Sequence, residues 1–91
     1  MTGPGRPDLH VVARFLDRLQ DAGPRGLTRS ALQRAVGLNY DVFRKYVDLL
    51  SARGWVGPAA GPGVRYALTK DGARVRAELV AWLGSLFGGT L

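Results

Sequence analysis

Thr28-Arg29-Ser30-Ala31-Leu32-Gln33-Arg34-Ala35-Val36-Gly37-Leu38-Asn39-Tyr40-Asp41-Val42-Phe43-Arg44-Lys45-Tyr46-Val47-Asp48-Leu49-Leu50 is the stretch whose reading decides the fold. Thr28 is a good N-cap, and Leu32, Ala35 and Val36 follow at helical spacing until Gly37 stops the run. This predicts a short helix over 29–36. Leu38 and Asn39 make a tight turn, and Asn39 caps the next helix, expected over 40–53. Its inward stripe is Phe43, Tyr46, Val47 and Leu50, at steps of three, four and seven from the first. Gly54 then supplies the left-handed residue that ends it.

Upstream, Val11, Val12, Phe15, Leu16 and Leu19 keep the same period, which predicts a helix capped by Asp8 and ended by Gly23-Pro24. Arg14, Asp17, Arg18 and Asp21 are expected on its wet face. Downstream the period changes. Trp55-Val56 and Val64 to Leu68 are short β-prone runs around a Gly/Pro-rich stretch at 57–63, which reads as a hairpin with a loose tip. Tyr66 and Leu68 alternate onto one face of it. Thr69 caps a last helix, with Asp71 favourably placed in its first turn. That helix carries Val75, Leu79, Trp82, Leu83, Leu86 and Phe87 and is expected to fray at Gly88-Gly89.

The fold class that follows is mainly α with a small β-hairpin, in the order α-α-α-β-β-α. Two helices joined by a Gly-containing turn and followed directly by a hairpin make the winged helix-turn-helix plan. A three-helix cluster of this size leaves one side of its core open. A hairpin anchored by Trp55 and Tyr66 closes it. Residues 8–87 are expected to form a single domain, with a flexible tail at 1–7 and a frayed one at 88–91. A chain of 91 residues buries only about 60–65% of its unfolded surface, too little for a second core.

The run from Asn39 to Leu50, continued by Arg53-Gly54-Trp55-Val56, resembles the recognition helix and helix-to-wing corner of small archaeal-type winged-helix regulators. Tyr66-Ala67-Leu68-Thr69-Lys70-Asp71-Gly72 resembles their strand-to-helix signature, Tyr-x-Leu-Thr-x-x-Gly. MarR-like and PadR-like repressors share a looser version. The resemblance covers residues 27 to about 82. It implies a DNA-binding regulator, and a dimer formed through the C-terminal helix. The chain departs from the pattern in a short last helix and in a wing tip without Lys or Arg.

Charge supports the same direction on its own footing. The chain carries 13 Lys+Arg against 7 Asp+Glu, a formal +6. Half of that excess falls on 27–54, where Arg29, Arg34, Arg44, Lys45 and Arg53 face Asp41 and Asp48. With the inward stripe removed, the third helix presents Tyr40, Asp41, Val42, Arg44, Lys45 and Asp48. The first half of a recognition helix is the part that enters the major groove. Arg44 matches the paired acceptors of guanine, and Lys45 matches a phosphate. Tyr40 suits a phosphate or a thymine methyl group, and Asn39 and Val42 complete the base-proximal set. Arg29 and Ser30 stand at a helix start whose N–H groups favour an anion. Arg34, Arg53 and Arg65 are placed to flank the duplex, Arg65 from the wing's second strand. Asp41 and Asp48 oppose phosphate, though Asp48 is spaced to pair with Arg44.

Other classes of function find little support. No cysteine is present, which excludes thiolate metal sites and a cysteine nucleophile. One His, one Glu and six Asp leave a thin stock of catalytic groups, so no enzyme, no cofactor and no metal site are expected. His10 reads as a surface residue, and Gly61-Pro62-Gly63 as a turn, since no Lys-Ser/Thr follows it. No stretch approaches a membrane span, and Met1 to Pro7 lacks the apolar core of a secretory signal. The expected setting is the cytoplasm, on the nucleoid in a prokaryote. The apolar set Val75, Leu79, Trp82, Leu83, Leu86 and Phe87 exceeds what one small core hides, which predicts a homodimer seamed by the first and last helices. Packing on the chain's own first helix is the plainer alternative, and docking on another protein a third. A protein-interaction module and a sequence-tolerant architectural DNA-binding protein stay open as rival functions.

Overall fold

Asp8 starts the first helix by accepting the His10 N–H at 2.8 Å, and α1 then runs over Leu9–Ala22 to a C-cap at Gly23. The computed structural model describes residues 7–87, with side chains through Gly84. The expected tails therefore lie outside the described residues, apart from Pro7. After α1 come a single 3-10 turn at Gly23–Arg25, β1 (Leu27–Thr28), α2 (Arg29–Val36), α3 (Tyr40–Ala52), β2 (Val56–Pro58), β3 (Arg65–Leu68) and α4 (Lys70–Phe87). Caps sit where the sequence places them. Thr28 Oγ1 accepts from Ala31 N at 3.2 Å and Asn39 Oδ1 from Val42 N at 3.0 Å. Gly37 ends α2 in the left-handed region.

One side of each of the first three helices turns inward. Val12, Phe15, Leu16 and Leu19 of α1 meet Leu32 and Val36 of α2 and Phe43, Val47 and Leu50 of α3, with Val56 of β2 closing the cluster. Phe15 stacks on Phe43 and Tyr46, ring centres 5.7 and 5.8 Å away. Each fully buried side chain of this size contributes about 1.5–3 kcal/mol, so the cluster dominates the stability. Tyr46 is only half-buried, and its hydroxyl accepts the Asp8 N–H at 2.8 Å, tying the start of α1 to α3.

The sheet has three strands in the order β1-β3-β2, where two were expected. Leu27 pairs with Tyr66 and Thr28 with Arg65, all antiparallel. Two residues carry no period, so β1 exists only because β3 pairs with it. Gly26 makes that pairing fit. Its φ is +65°, and a Cβ there would strike the Tyr66 carbonyl.

Two further expectations are corrected. Arg14 is not on a wet face: its Nη1 donates to the Val36 carbonyl at 2.8 Å, and Arg18 Nε to that of Ala35 at 3.2 Å. Both cations thus sit at the C-terminal end of α2, where its dipole favours them. Asp17 is half-buried between Arg18 and Arg76, the latter reaching it from α4 at 2.8 Å. The last helix, α4, has the 18 residues expected between the Thr69 cap and Gly88.

The hairpin and α4 are joined by a corner built on Thr69 and Gly72. Thr69 Oγ1 donates to the Gly54 carbonyl at 2.6 Å and accepts from Gly72 N at 2.9 Å. Thr69 N donates to the Trp55 carbonyl at 3.1 Å. Gly72 is buried so close to that carbonyl that a Cβ would collide with it. The Leu-Thr-x-x-Gly signature therefore clamps the end of α3 to the start of α4.

Candidate nucleic-acid interface

Burying Phe43, Val47 and Leu50 leaves the opposite face of α3 in water. Tyr40, Asp41, Arg44, Lys45 and Asp48 are exposed there, and Val42 is half-buried. Tyr40 and Arg44 stand one turn apart on the same face. Among the described residues neither Arg44 nor Lys45 has a carboxylate within 4.0 Å; the ion pairs found involve His10, Arg18, Arg74 and Arg76. The expected Arg44–Asp48 pair is thus not formed.

Arg29, the first residue of α2, joins this face to the wing. Its Nη1 donates to the Tyr40 hydroxyl at 3.3 Å and its Nη2 to the Tyr66 hydroxyl at 3.0 Å. The Tyr66 hydrogen bond is the first cause that raises the pKa of Arg29 above its ordinary value. Ser30 and Arg34 lie one turn apart on α2, lining a shallow notch with Gln33, Gly37 and Leu38. Asn39 is exposed at the cap of α3.

The other two arginines are placed differently. Arg65 is half-buried, and its Nε donates to the Arg25 carbonyl at 3.1 Å. The wing's one cation is thus anchored to the turn after α1. Arg53 follows the last residue of the 13-residue α3, about 20 Å from Tyr40 at the helical rise. Its guanidinium lies 5.8 Å from the centre of the Trp55 ring, an exposed cation–π contact of about 0.5–1 kcal/mol. The structure brings Arg29, Asn39, Tyr40 and Arg44 to one end of α3 and leaves Arg53 at the other.

Sequence reasoning treated Tyr66 only as an apolar anchor and missed its hydroxyl. No local signal could have found it, because the partner lies 37 residues away.

The C-terminal helix divides its apolar residues. Val75 and Leu79 are half-buried against the chain's own core. They also line a cleft of about 240 Å³ with Pro7, Leu9, Val12, Leu49, Arg53 and Trp55. Leu83 is half-buried. Trp82 is 50% exposed, with Val80 at 45% and Leu9 at 43%. The side chains of Leu86 and Phe87 lie outside the described residues. No group of His, Asp and Glu side chains able to hold a metal occurs among the described residues. No described helix is long and apolar enough to cross a membrane.

No protein-family model matches this sequence, and no curated protein matches it. Among solved structures, it is similar to a MarR family transcriptional regulator from Silicibacter pomeroyi DSS-3, with 22% identity and a TM-score of 0.64. The match covers 86% of this chain and 55% of that one, so this chain spans about half the length of the regulator. The shared architecture is the winged helix-turn-helix.

Proposed function

We propose that this chain is a DNA-binding protein, a small transcriptional regulator, that sets α3 in the major groove and the wing on the backbone. The observation that carries the reading is the open face at the start of α3. Arg44 and Lys45 stand there without a carboxylate partner, one turn from the Tyr40 that Arg29 holds. Arg44 is assigned to a guanine edge and Lys45 to a phosphate. Asn39 and Val42 lie nearest the bases, and Tyr40 stands at the edge between base and phosphate. Arg29, Ser30, Arg34 and Arg65 serve the backbone. Arg53 is released from the set, since it packs on Trp55 at the far end of the helix. The reading is not an enzymatic one. The motif pair Asn39–Val56 and Tyr66–Gly72 supports placing the chain beside the small archaeal-type regulators. The setting that fits is the cytoplasm, on the nucleoid in a prokaryote.

One module binds DNA weakly, and two half-sites about 34–36 Å apart bind better. Half-exposed Trp82 on α4 and Leu9 on α1 support a homodimer seamed by these two helices, with Leu83, Leu86 and Phe87 proposed to contribute. The same exposed Trp82 favours a second reading, a winged helix that docks on another protein. Amide shift mapping with a 30-base-pair duplex separates the two. The DNA reading expects shifts at 29–45 and 65–66. Shifts confined to α1 and α4, or none, would contradict it.

A further inference from the structure

Arg29 sits where three elements converge. It begins α2, Tyr40 begins α3, and Tyr66 lies on β3 opposite Leu27, two residues before Arg29. A guanidinium has five N–H donors. Two of these go to the phenolic oxygens of Tyr40 and Tyr66, which leaves three. Each phenol accepts from Arg29, so its own O–H stays available, and neither donates to an acceptor among the described residues. No carboxylate there lies within 4.0 Å of Arg29. The cluster therefore offers N–H and O–H donors around one positive charge, with Arg29 and Tyr40 exposed and Tyr66 half-buried.

A group with several acceptor oxygens and a negative charge matches such a cluster. A free arginine would lose its rotamer freedom on meeting that group. Here two phenols on separate elements hold it beforehand, at the seam between the reading helix and the wing. We propose that Arg29, Tyr40 and Tyr66 form a clamp for one phosphodiester of the DNA backbone. Tyr66 orients the guanidinium, and Arg29 in turn holds the Tyr66 O–H toward the phosphate, so neither acts without the other. This rests on the DNA reading above and adds to it a wing residue that carries no charge.

The test is fluorescence anisotropy of a labelled 30-base-pair duplex with the full chain and three variants. Tyr66→Phe removes one hydroxyl and no charge. It should weaken binding about three- to tenfold, leave the slope of log K against log salt unchanged, and keep the melting temperature of the wild type. Arg29→Ala should weaken binding more than tenfold and reduce the slope by about 0.9. Adding Tyr66→Phe to Arg29→Ala should cost less than twofold more, because the two act as a unit. Wild-type affinity in Tyr66→Phe, or losses that multiply in the double variant, would overturn the clamp. Inorganic phosphate at matched ionic strength should leave the differences intact. If a few millimolar erases the gap between wild type and Tyr66→Phe, a free anion is the ligand and the assignment falls. A wild type that binds no duplex at low salt overturns the DNA reading, and the clamp with it. Binding with a silent Tyr66→Phe overturns the clamp alone.

Discussion

At its C-terminal end, α3 runs into a corner in which the polar groups already have partners. Trp55 N donates to the Leu50 carbonyl at 3.0 Å, Thr69 Oγ1 to that of Gly54 at 2.6 Å, and Gly72 seals against the Trp55 carbonyl. At its N-terminal end, the same helix presents Arg44 and Lys45 beside the phenol-held Arg29 of α2, all with donors to spare. Saturated polar groups hold a fold together, while unsatisfied cations on a fixed frame are available to a ligand. The second motif behind the family resemblance, and the closing part of the first, lie at the saturated end. Arg53-Gly54-Trp55 and Leu68-Thr69-x-x-Gly72 are the two halves of one clamp. Their likeness to known regulators speaks for the fold and says nothing about which bases are read.

The contrast can be broken from either end. The largest effect should come from Gly72→Ala, which drives a Cβ into the Trp55 carbonyl. A loss of about 3 kcal/mol is expected in urea unfolding. Unchanged stability would mean that the corner yields and is no clamp. Next is the pair Arg44→Ala and Lys45→Ala together. Duplex binding should fall at least tenfold, about 1.4 kcal/mol, with the melting curve in place. A melting curve that moves instead would give these residues a structural role and erase the difference between the ends.

Thr69→Ala removes a cap and a second hydrogen bond at once, for about 1 kcal/mol of stability. DNA affinity measured well below the melting point should stay within twofold of the wild type. Arg53→Ala sharpens the comparison most finely. Arg53 counts as a basic residue of the helix-turn-helix, yet it packs on Trp55. Its loss should change duplex binding less than twofold, and a tenfold loss would extend the reading face along the whole helix.

What the sequence made legible was local. Asp8, Thr28, Asn39 and Thr69 cap helices where their side chains reach the next free N–H groups. The core stripes follow the helical period. What escaped was made by contacts between distant residues. β1 is two residues long and is defined by its pairing across the sheet with β3. Arg14 and Asp17 fall on the polar side of α1 by pattern, but α2 and α4 pack beside that side and recruit them. At the candidate site, Arg44 and Lys45 could be found by subtracting the buried stripe. The bracket of Arg29 by two tyrosines could not, because it needs the wing folded back on α2. Charge counting placed Arg53 with the others, since composition does not distinguish one end of a helix from the other.

The central claim is that the open end of α3 is made for the DNA backbone and grooves. Its most direct test is the binding of a 30-base-pair duplex by the wild-type chain, followed by anisotropy from low to near-physiological salt. About four phosphates neutralised per protomer, by Arg29, Arg34, Lys45 and Arg65, predict micromolar binding at low salt and a slope of log K on log salt of about −3.6. Absence of binding even at low salt would contradict the claim and turn attention to a protein partner at Trp82.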